Sequence, residues 1–336
     1  MKKSVLLKIQ LAEAAKYAIK EELPYKRLAV IMLDNFMELQ LSSVIQNKPS
    51  VKHLAFTKED RRKERSELEK AFKSYDALLK LAEKREVITG EERYQLAFCH
   101  TIRNNLYHHA QEELLLMEVA LIILHEIIIR KQPKWKNGSM WYSYGSKDTD
   151  PFYEKDKEEP HFISGNTEEE WKKFLEKHFV LFEKNAPNIQ IFLSQSILEK
   201  IGEIRDWYEF IKPEYHLFFP WAEDWDFNDY VMNYTFQRKL REMPEGIEEE
   251  LCKDEKLDEI VDKHTEFASN WKRKDMKRVT AIEEKAKEMI NLPAFKALER
   301  YINLQPDLLL IYYALRDAAS DLDGKIQLAI DIARGK

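Results

Sequence analysis

The sequence predicts an all-α protein, and its composition and its apolar periodicity both support this fold class. Glycine (8 residues) and proline (11 residues) are scarce in a chain of 336 residues, which therefore lacks the turn residues that many short strands need. Charged residues make up 34% of the chain, beside many leucines and isoleucines. Apolar residues recur at three- and four-residue intervals, as on one face of a helix. The length suffices for two domains.

The first 131 residues predict four helical segments with short connections, which favours an up-down bundle. Val5, Ile9 and Ala12 form one stripe of the first segment, and Pro24 ends it or opens the second. The fourth segment begins at a capping box from Thr89 to Glu92 and is expected to bend near a polar motif. The four segments are residues 4–22, 25–46, 58–86 and 90–131.

Residues 132–166 interrupt this pattern with three glycines, three prolines and interleaved aromatic residues. We interpret them as an ordered connector between an N-terminal domain, 1–131, and a C-terminal helical domain, 167–336, of unknown role. A second capping box, from Thr167 to Glu170, starts the C-terminal domain. Its predicted helices are residues 167–184, 188–211, 226–242, 246–268, 273–291, 294–303 and 306–334.

Two stretches of the C-terminal half could in principle contact nucleic acid, but we expect structural roles for both. Residues 205–236 are rich in aromatic side chains, yet their interleaved charges are mostly acidic, which favours core or interface packing over base stacking. Residues 271–278 form the most basic short stretch, which we interpret as a solvated helix end. The net charge of −6 also argues against a surface that coats nucleic acid.

Cysteine usage and hydropathy predict a cytoplasmic protein with no metal, cofactor or membrane span. Cys99 and Cys252 are the only cysteines, and neither has a metal-binding spacing. The apolar run 114–129 is too short to cross a bilayer and contains charged residues. Glycine-rich phosphate loops are absent, and the one Glu-x-x-His spacing, Glu158 to His161, lies in a proline-containing loop rather than on a bundle helix.

The candidate chemistry is concentrated in the stretch Ile102–His109, which contains Arg103, Asn104 and His108. Arginine offers phosphate a planar fork of donors, and histidine can exchange a proton near neutral pH. Arg103 and His108 are five residues apart and point about 140° away from each other on an ideal helix. A two-fold pair of helices would instead place two copies of the set around one groove. Spacing alone leaves open that these residues cap or solvate a bundle end.

This arginine, asparagine and histidine set, in its helical context, resembles the Arg-x(4–6)-His motif of the HEPN superfamily. The resemblance covers roughly residues 1–131 and implies a homodimeric helical bundle with the paired motifs lining a cleft. It also implies a metal-independent endoribonuclease of the toxin or phage-defence type, with RNA as substrate and an antitoxin or regulatory protein as a possible partner. Ala110 stands where one subgroup has a tyrosine, so modification at that position is not expected here.

The resemblance assigns His108 as general base or acid and Arg103 as the phosphate ligand, and it assigns Asn104 to orient the phosphate or the imidazole. The expected product is a 2′,3′-cyclic phosphate. His109, His100 and Tyr107 are weaker candidates for contacts with the substrate. Two alternatives stay open: a non-catalytic HEPN-like module that binds RNA, a nucleotide or a protein, and a purely structural helical scaffold.

Overall fold

Every regular element that the structure describes is a helix, which confirms the all-α prediction. The structure is a computed structural model. It describes residues 3–47, 58–108, 113–135, 152, 168–182, 188–241 and 254–334. Within these ranges the Cα positions form two compact units, residues 1–192 and 193–336.

The first unit contains the four segments predicted for the N-terminal half, but they form six helices. These are α1 (Lys3–Ala18), α2 (Leu23–Asn47), α3 (Lys58–Ala71), α4 (Tyr75–Lys84), α5 (Gly90–His108) and α6 (Leu114–Lys131). The single helix expected over 58–86 is wrong, because Ser74 caps a new helix by accepting a hydrogen bond from the Ala77 amide. The bend expected within 90–131 is a break between two helices, because Glu113 is the extended N-cap of α6, and residues 109–112 lie outside the described residues.

Helix α2 lies at the centre of the first unit and packs against α1, α4, α5 and α6. Its apolar face is fully buried, including Leu33, Phe36 and Met37. Helix α6 is buried around most of its circumference, as expected for an apolar core helix. Because α2 and α6 supply this core, α5 is held against it with its polar side turned toward α2.

Helix α7 (Glu168–His178) also packs in the first unit, against α1 and a 3₁₀ turn, Gln132–Lys134. The buried Trp171, Phe174 and Leu175 make this contact side apolar. The predicted connector 132–166 lies largely outside the described residues, as does Thr167 of the second capping box. The predicted domain limits therefore stay a prediction.

The second unit contains most of α8 (Ile189–Phe218), with α9 (Phe227–Arg241), α10 (Asp254–Ser269), α11 (Met276–Glu288) and α12 (Ala294–Ala333). Short 3₁₀ turns lie at Pro220–Ala222 and Met289–Asn291. The aromatic stretch forms a packed cluster here, in which the buried Tyr215 ring contacts Phe219, Trp225 and Tyr230.

Two predicted helix ends in this unit are wrong, because proline lies inside a continuous helix at both places. Pro213 is within α8 and Pro306 is within α12. An internal proline costs a helix about 3 kcal/mol. Buried residues lie on both sides of each proline, Ile211 and Tyr215 in α8 and Leu304 and Leu308 in α12. Their packing offsets this cost and keeps each helix continuous.

One helix among the described residues is long and apolar enough to cross a membrane by length and composition alone. It spans Leu23–Gln46 of α2, and 56% of its most apolar window is buried inside the structure. A buried core helix meets the same criterion, so the expected location of the protein stays a prediction.

Candidate functional site

Helix α5 carries the candidate residues, and its start is fixed by the predicted capping box. The Thr89 amide donates to Glu92 Oε2 over 2.8 Å, and the Glu92 amide donates to Thr89 Oγ1 over 3.1 Å. Glu92 also pairs with Arg130 and Lys131 on α6. The capping box and these ion pairs together set the position of α5 along α6.

Two sides of α5 have different roles. Cys99, Ile102 and Leu106 are buried and pack into the bundle. His100, Arg103 and Asn104 lie on the neighbouring side and are only partly exposed. Residues three and four apart on a helix are neighbours, so these three residues share one face. The helix therefore brings His100 into one group with Arg103 and Asn104.

The structure adds a residue that sequence reasoning did not select, Asp34 of α2. The Asp34 carboxylate is completely buried. Its Oδ2 atom lies 2.8 Å from His100 Nδ1 and 3.9 Å from Arg103 Nε. Its other oxygen, Oδ1, accepts no hydrogen bond from any residue in the described ranges. A buried carboxylate thus lies beneath an imidazole and a guanidinium, and Arg103 supplies a compensating charge.

An ionised carboxylate only accepts hydrogen bonds, so this contact requires the proton on Nδ1 of His100. In the neutral ring that tautomer leaves Nε2 with a lone pair, as a general base needs. The His100 side chain is 20% exposed, so the ring is within reach of a ligand at the surface.

Tyr75, the first residue of α4, holds the His100 ring from one side. The two rings are stacked with centroids 4.1 Å apart and planes inclined by 23°. Burial, with a further contribution from the charge of Asp34, raises the pKa of Tyr75 well above its usual range. The phenol is therefore protonated at neutral pH and acts as a packing surface, not as a base.

Cys99 lies beside this group but is chemically quiet. Burial, followed by the Asp34 charge, raises the pKa of the Cys99 thiol well above its usual range. Its Sγ atom lies 3.8 Å from the Ala120 carbonyl oxygen on α6. A buried neutral thiol of this kind fills space and is a poor nucleophile.

Arg103 and Asn104 are joined directly, because Arg103 Nη1 donates to Asn104 Oδ1 over 2.9 Å. This contact orients the guanidinium, whereas Asn104 was expected to orient the phosphate or the imidazole, a role that stays a prediction. His108 is the last residue of α5, one turn beyond Asn104. The side chains of Tyr107 and His108 lie outside the described part of the structure, and so does the whole of His109. The proposed meeting of Arg103 with His108 stays a prediction.

Arg103, Asn104 and His108 lie in the C-terminal half of α5. The C-terminal end of a helix carries a partial negative charge, which favours cations there. This effect fades within the last turn, and Arg103 lies more than one turn before His108, so the helix end adds little at its guanidinium. The negative charge that faces Arg103 is instead the Asp34 carboxylate, 3.9 Å from Nε.

Another half-buried imidazole of the first unit, His125 on α6, has a structural role. Its Nε2 atom lies 3.3 Å from the Phe179 carbonyl oxygen, and its ring contacts Phe179 and Phe182. Burial lowers the pKa of His125, although the bond to the carbonyl partly opposes this. The adjoining cavity, of about 200 Å³, is lined mostly by apolar groups. His125 therefore packs α6 against the segment after α7.

Neither a metal-ligand cluster among the described residues nor a known relative assigns a role to this group. Among the residues that the structure describes, no three histidine, cysteine, aspartate or glutamate side chains could together hold a metal ion. No family model, curated protein or solved structure matches this chain.

Proposed function

We propose that this protein is a metal-independent endoribonuclease whose acid–base group is built on one face of α5. The observation that carries the proposal is the contact of His100 Nδ1 with the buried Asp34 carboxylate, beside Arg103 and Asn104. Cleavage of RNA by its own 2′-hydroxyl needs a base that removes the hydroxyl proton and a cation that stabilises the charge on the phosphate. An oriented imidazole next to a guanidinium provides both. The HEPN resemblance supports the same chemistry.

In the proposed reaction, Nε2 of His100 removes the proton from the ribose 2′-hydroxyl. The resulting 2′-oxygen attacks phosphorus and forms the new P–O2′ bond. The P–O5′ bond breaks, and His108 as an imidazolium gives its proton to the 5′-oxygen. The products are a 2′,3′-cyclic phosphate and a 5′-hydroxyl, so the atoms balance without water, metal or cofactor. These two proton transfers need one neutral imidazole as the base and one protonated imidazole as the acid, and both forms of histidine are accessible near neutral pH.

Arg103 has the electrostatic role in this scheme. Its guanidinium binds the non-bridging oxygens of the scissile phosphate and stabilises the charge that develops on them. Asn104 keeps the guanidinium in place through the hydrogen bond to its Oδ1 atom. His109 and Tyr107, next to His108 in the chain, are proposed as contacts for the neighbouring nucleotide. The working form is a homodimer, in which two copies of the motif share one cleft.

Incubation of the full chain with RNA in EDTA tests the proposal. We expect cleavage that leaves 2′,3′-cyclic phosphate ends. His100→Asn, Arg103→Ala and His108→Ala should each reduce the rate by about 10²–10⁴-fold while the helical signal is kept. Thr101→Ala is the matched control, because Thr101 is exposed on α5 between these residues. His216→Gln controls for the loss of an imidazole elsewhere.

The outcomes separate the competing functions. RNA binding without cleavage would identify a binding module of the same fold. Absence of both binding and cleavage would favour a structural scaffold. Equal cleavage by wild type and all three variants would mean that a contaminating nuclease or a different site is responsible, and the proposal would be wrong.

A further inference from the structure

The C-terminal part of α8, in the second unit, carries large apolar side chains that the described residues leave uncovered. Phe210 is 39% exposed and Leu217 is 66% exposed. They are seven residues apart, so they lie within about 20° of each other in projection on an ideal helix. Trp221, in the 3₁₀ turn that follows α8, is 70% exposed. Neighbouring large apolar residues of this exposure mark an interaction surface. We call these three residues the apolar strip.

The exposed Trp221 ring is supported by the aromatic cluster beneath it. It meets the Phe219 ring edge to face, with centroids 5.3 Å apart. Phe219 in turn stacks on the buried Tyr215 ring, with centroids 4.4 Å apart. A side chain that is already held in place loses little entropy when a partner binds it. Tryptophan is also a frequent anchor of protein interfaces, so the strip is prepared for a protein partner.

The charges next to the apolar strip are mostly carboxylates without partners. On an ideal helix, Asp206 and Glu214 lie about 40° to either side of Phe210. The acidic residues near the strip in the chain are exposed, and none forms an ion pair with a described residue: Asp206, Glu209, Glu214, Glu223 and Asp224. The strip therefore lies in a region of uncompensated negative charge.

Nearby cations do not cancel this charge. Lys212 lies about 140° from Leu217 around α8 and reaches the Tyr208 ring instead. Lys325 of α12 lies over the Phe219 ring, and it is a single cation beside five carboxylates. The surface therefore keeps an excess of negative charge.

The backbone adds an acceptor on the same side of α8. Pro213 is exposed and lies about 60° from Phe210 in projection. Because proline has no N–H group, the carbonyl of Glu209, four residues earlier, loses its donor within α8. Carboxylates and this carbonyl all accept hydrogen bonds, so the surface favours a partner rich in donors.

We infer that the apolar strip is the docking site for a cationic amphipathic helix of a partner protein. Phe210 and Trp221 are eleven residues apart, which corresponds to about 16–20 Å and to three or four turns of a partner helix. The apolar face of that helix packs on the strip, and lysine or arginine at its margins pairs with the carboxylates. The same carboxylates repel RNA and anionic lipid. The inference does not depend on the proposed ribonuclease function.

Fluorescence anisotropy with a designed peptide and the full chain tests the inference. The probe is a labelled helix of about four turns with leucines on one face and lysines on the other. We expect it to bind wild type, and Leu217→Ser and Trp221→Ser each to weaken binding by at least about tenfold. Val261→Ser on α10 removes an equally exposed apolar residue elsewhere in the second unit and should change nothing. Both strip residues are exposed, so the variants should stay folded.

Charge reversal tests the role of the carboxylates. Asp206→Lys/Glu214→Lys should weaken binding of the lysine peptide by at least about tenfold. The same variant should gain binding of a matched peptide that has glutamate in place of every lysine. Glu266→Lys/Glu284→Lys is the control, because it changes the net charge equally at exposed positions on α10 and α11. It should leave both affinities as in wild type.

Further probes separate the other occupants of the strip. A peptide of the same composition with its leucines scattered around the helix should bind at least about tenfold more weakly. Equal binding of the scattered or the glutamate peptide to wild type, no binding of the lysine peptide, or binding that the strip variants leave unchanged would each overturn the inference. Binding to phosphatidylcholine vesicles that depends on Trp221, without binding of the lysine peptide, would instead identify a membrane contact.

Discussion

At the scale of single residues, the buried carboxylate of Asp34 is the part of the candidate site that the sequence did not predict. Sequence reasoning selected Arg103, Asn104 and His108 because they are close together in the chain. Asp34 and His100 are 66 residues apart, and one helix contact brings them together. No local pattern marks which polar residue of a mostly apolar helix such as α2 will meet a histidine on another helix. For this reason Asp34 could not be selected and His100 was only a weak candidate.

The variant Asp34→Asn tests the positioning role of this carboxylate. The amide oxygen can still accept from Nδ1 of His100, so we expect a folded protein, but the negative charge that stabilises the imidazolium is lost. The RNA-cleavage rate at saturating RNA should fall about 10²-fold, while RNA affinity should change little. The exposed neighbour Asn35 provides the control Asn35→Ala. An equal loss in binding and rate would indicate a purely structural Asp34.

Tyr75 supports His100 through its ring and not through its hydroxyl. The hydroxyl is buried and has no hydrogen-bond partner among the described residues. Removing an unpaired buried hydroxyl relieves a desolvation cost, so Tyr75→Phe should be neutral or raise the free energy of unfolding by up to about 1 kcal/mol. Urea unfolding measures the change. Tyr75→Leu, which removes the stacked ring, should destabilise the protein, and a loss of more than about 1 kcal/mol in Tyr75→Phe would contradict this account.

At the scale of elements, one local capping signal predicted a helix start correctly, whereas two helix boundaries expected near prolines were wrong. The capping box from Thr89 to Glu92 is present with both of its hydrogen bonds. One helix was expected to end at residue 211, before Pro213, and another at residue 303, with a new helix from Pro306, but buried neighbours on both sides of each proline keep α8 and α12 continuous. A capping box is satisfied within four residues, whereas the effect of a proline depends on packing that the sequence does not display.

The backbone just after α4 is strained at one residue, and a glycine there would relieve the strain. Glu86 has a φ of 55°, in the left-handed region that favours glycine. Its amide donates to the Glu83 carbonyl and the Val87 amide to the Ala82 carbonyl, the pattern of a Schellman motif. Glu86→Gly should therefore raise the free energy of unfolding by about 0.5–1 kcal/mol. Glu86→Ala keeps the Cβ atom and should give no such gain, and equal gains in both variants would point to the lost charge instead.

Glu92 links the start of α5 to the end of α6, and its contribution should depend on pH. Burial alone raises the pKa of Glu92, but the bonds from Lys131 and the Thr89 amide and the charges of Lys131 and Arg130 outweigh it and lower the pKa. A lowered pKa means that the stabilisation is present at neutral pH and is lost as pH falls below the usual value of 4.5.

The variant Glu92→Gln measures this link. It should lower the free energy of unfolding by about 1.5–3 kcal/mol at neutral pH, because charged hydrogen bonds are lost. The difference from wild type should shrink in acid, where the wild-type carboxyl is also neutral. Urea unfolding across this pH range provides the measurement. A difference that stays constant with pH would mean that shape, not charge, matters at this position.

At the scale of the whole molecule, the charge distribution limits how RNA could be held. The chain carries a net charge of −6. Three of the five cations in the most basic stretch, residues 271–278, are already paired, since Arg273 contacts Asp226, and Lys274 and Arg278 contact Asp307. Opposite charges therefore reduce what this stretch could offer to RNA. Under the proposed function, Arg103 and its neighbours must supply the phosphate contacts.

A single guanidinium per subunit as the main phosphate contact predicts a weak salt dependence of RNA binding. Each phosphate neutralised on single-stranded RNA contributes about −0.7 to the slope of log K against log salt concentration. With one fixed cation per subunit, we expect a slope of about −0.7 to −1.5 for a dimer. Binding of unlabelled His108→Ala protein to fluorescent single-stranded RNA measures it without cleavage. When Arg103→Ala is combined with His108→Ala, the slope should become less negative by about 0.7 per site. Lys274→Ala in the same background should leave the slope unchanged. A slope of about −4 or steeper, insensitive to Arg103, would place the RNA on a different and much more basic surface.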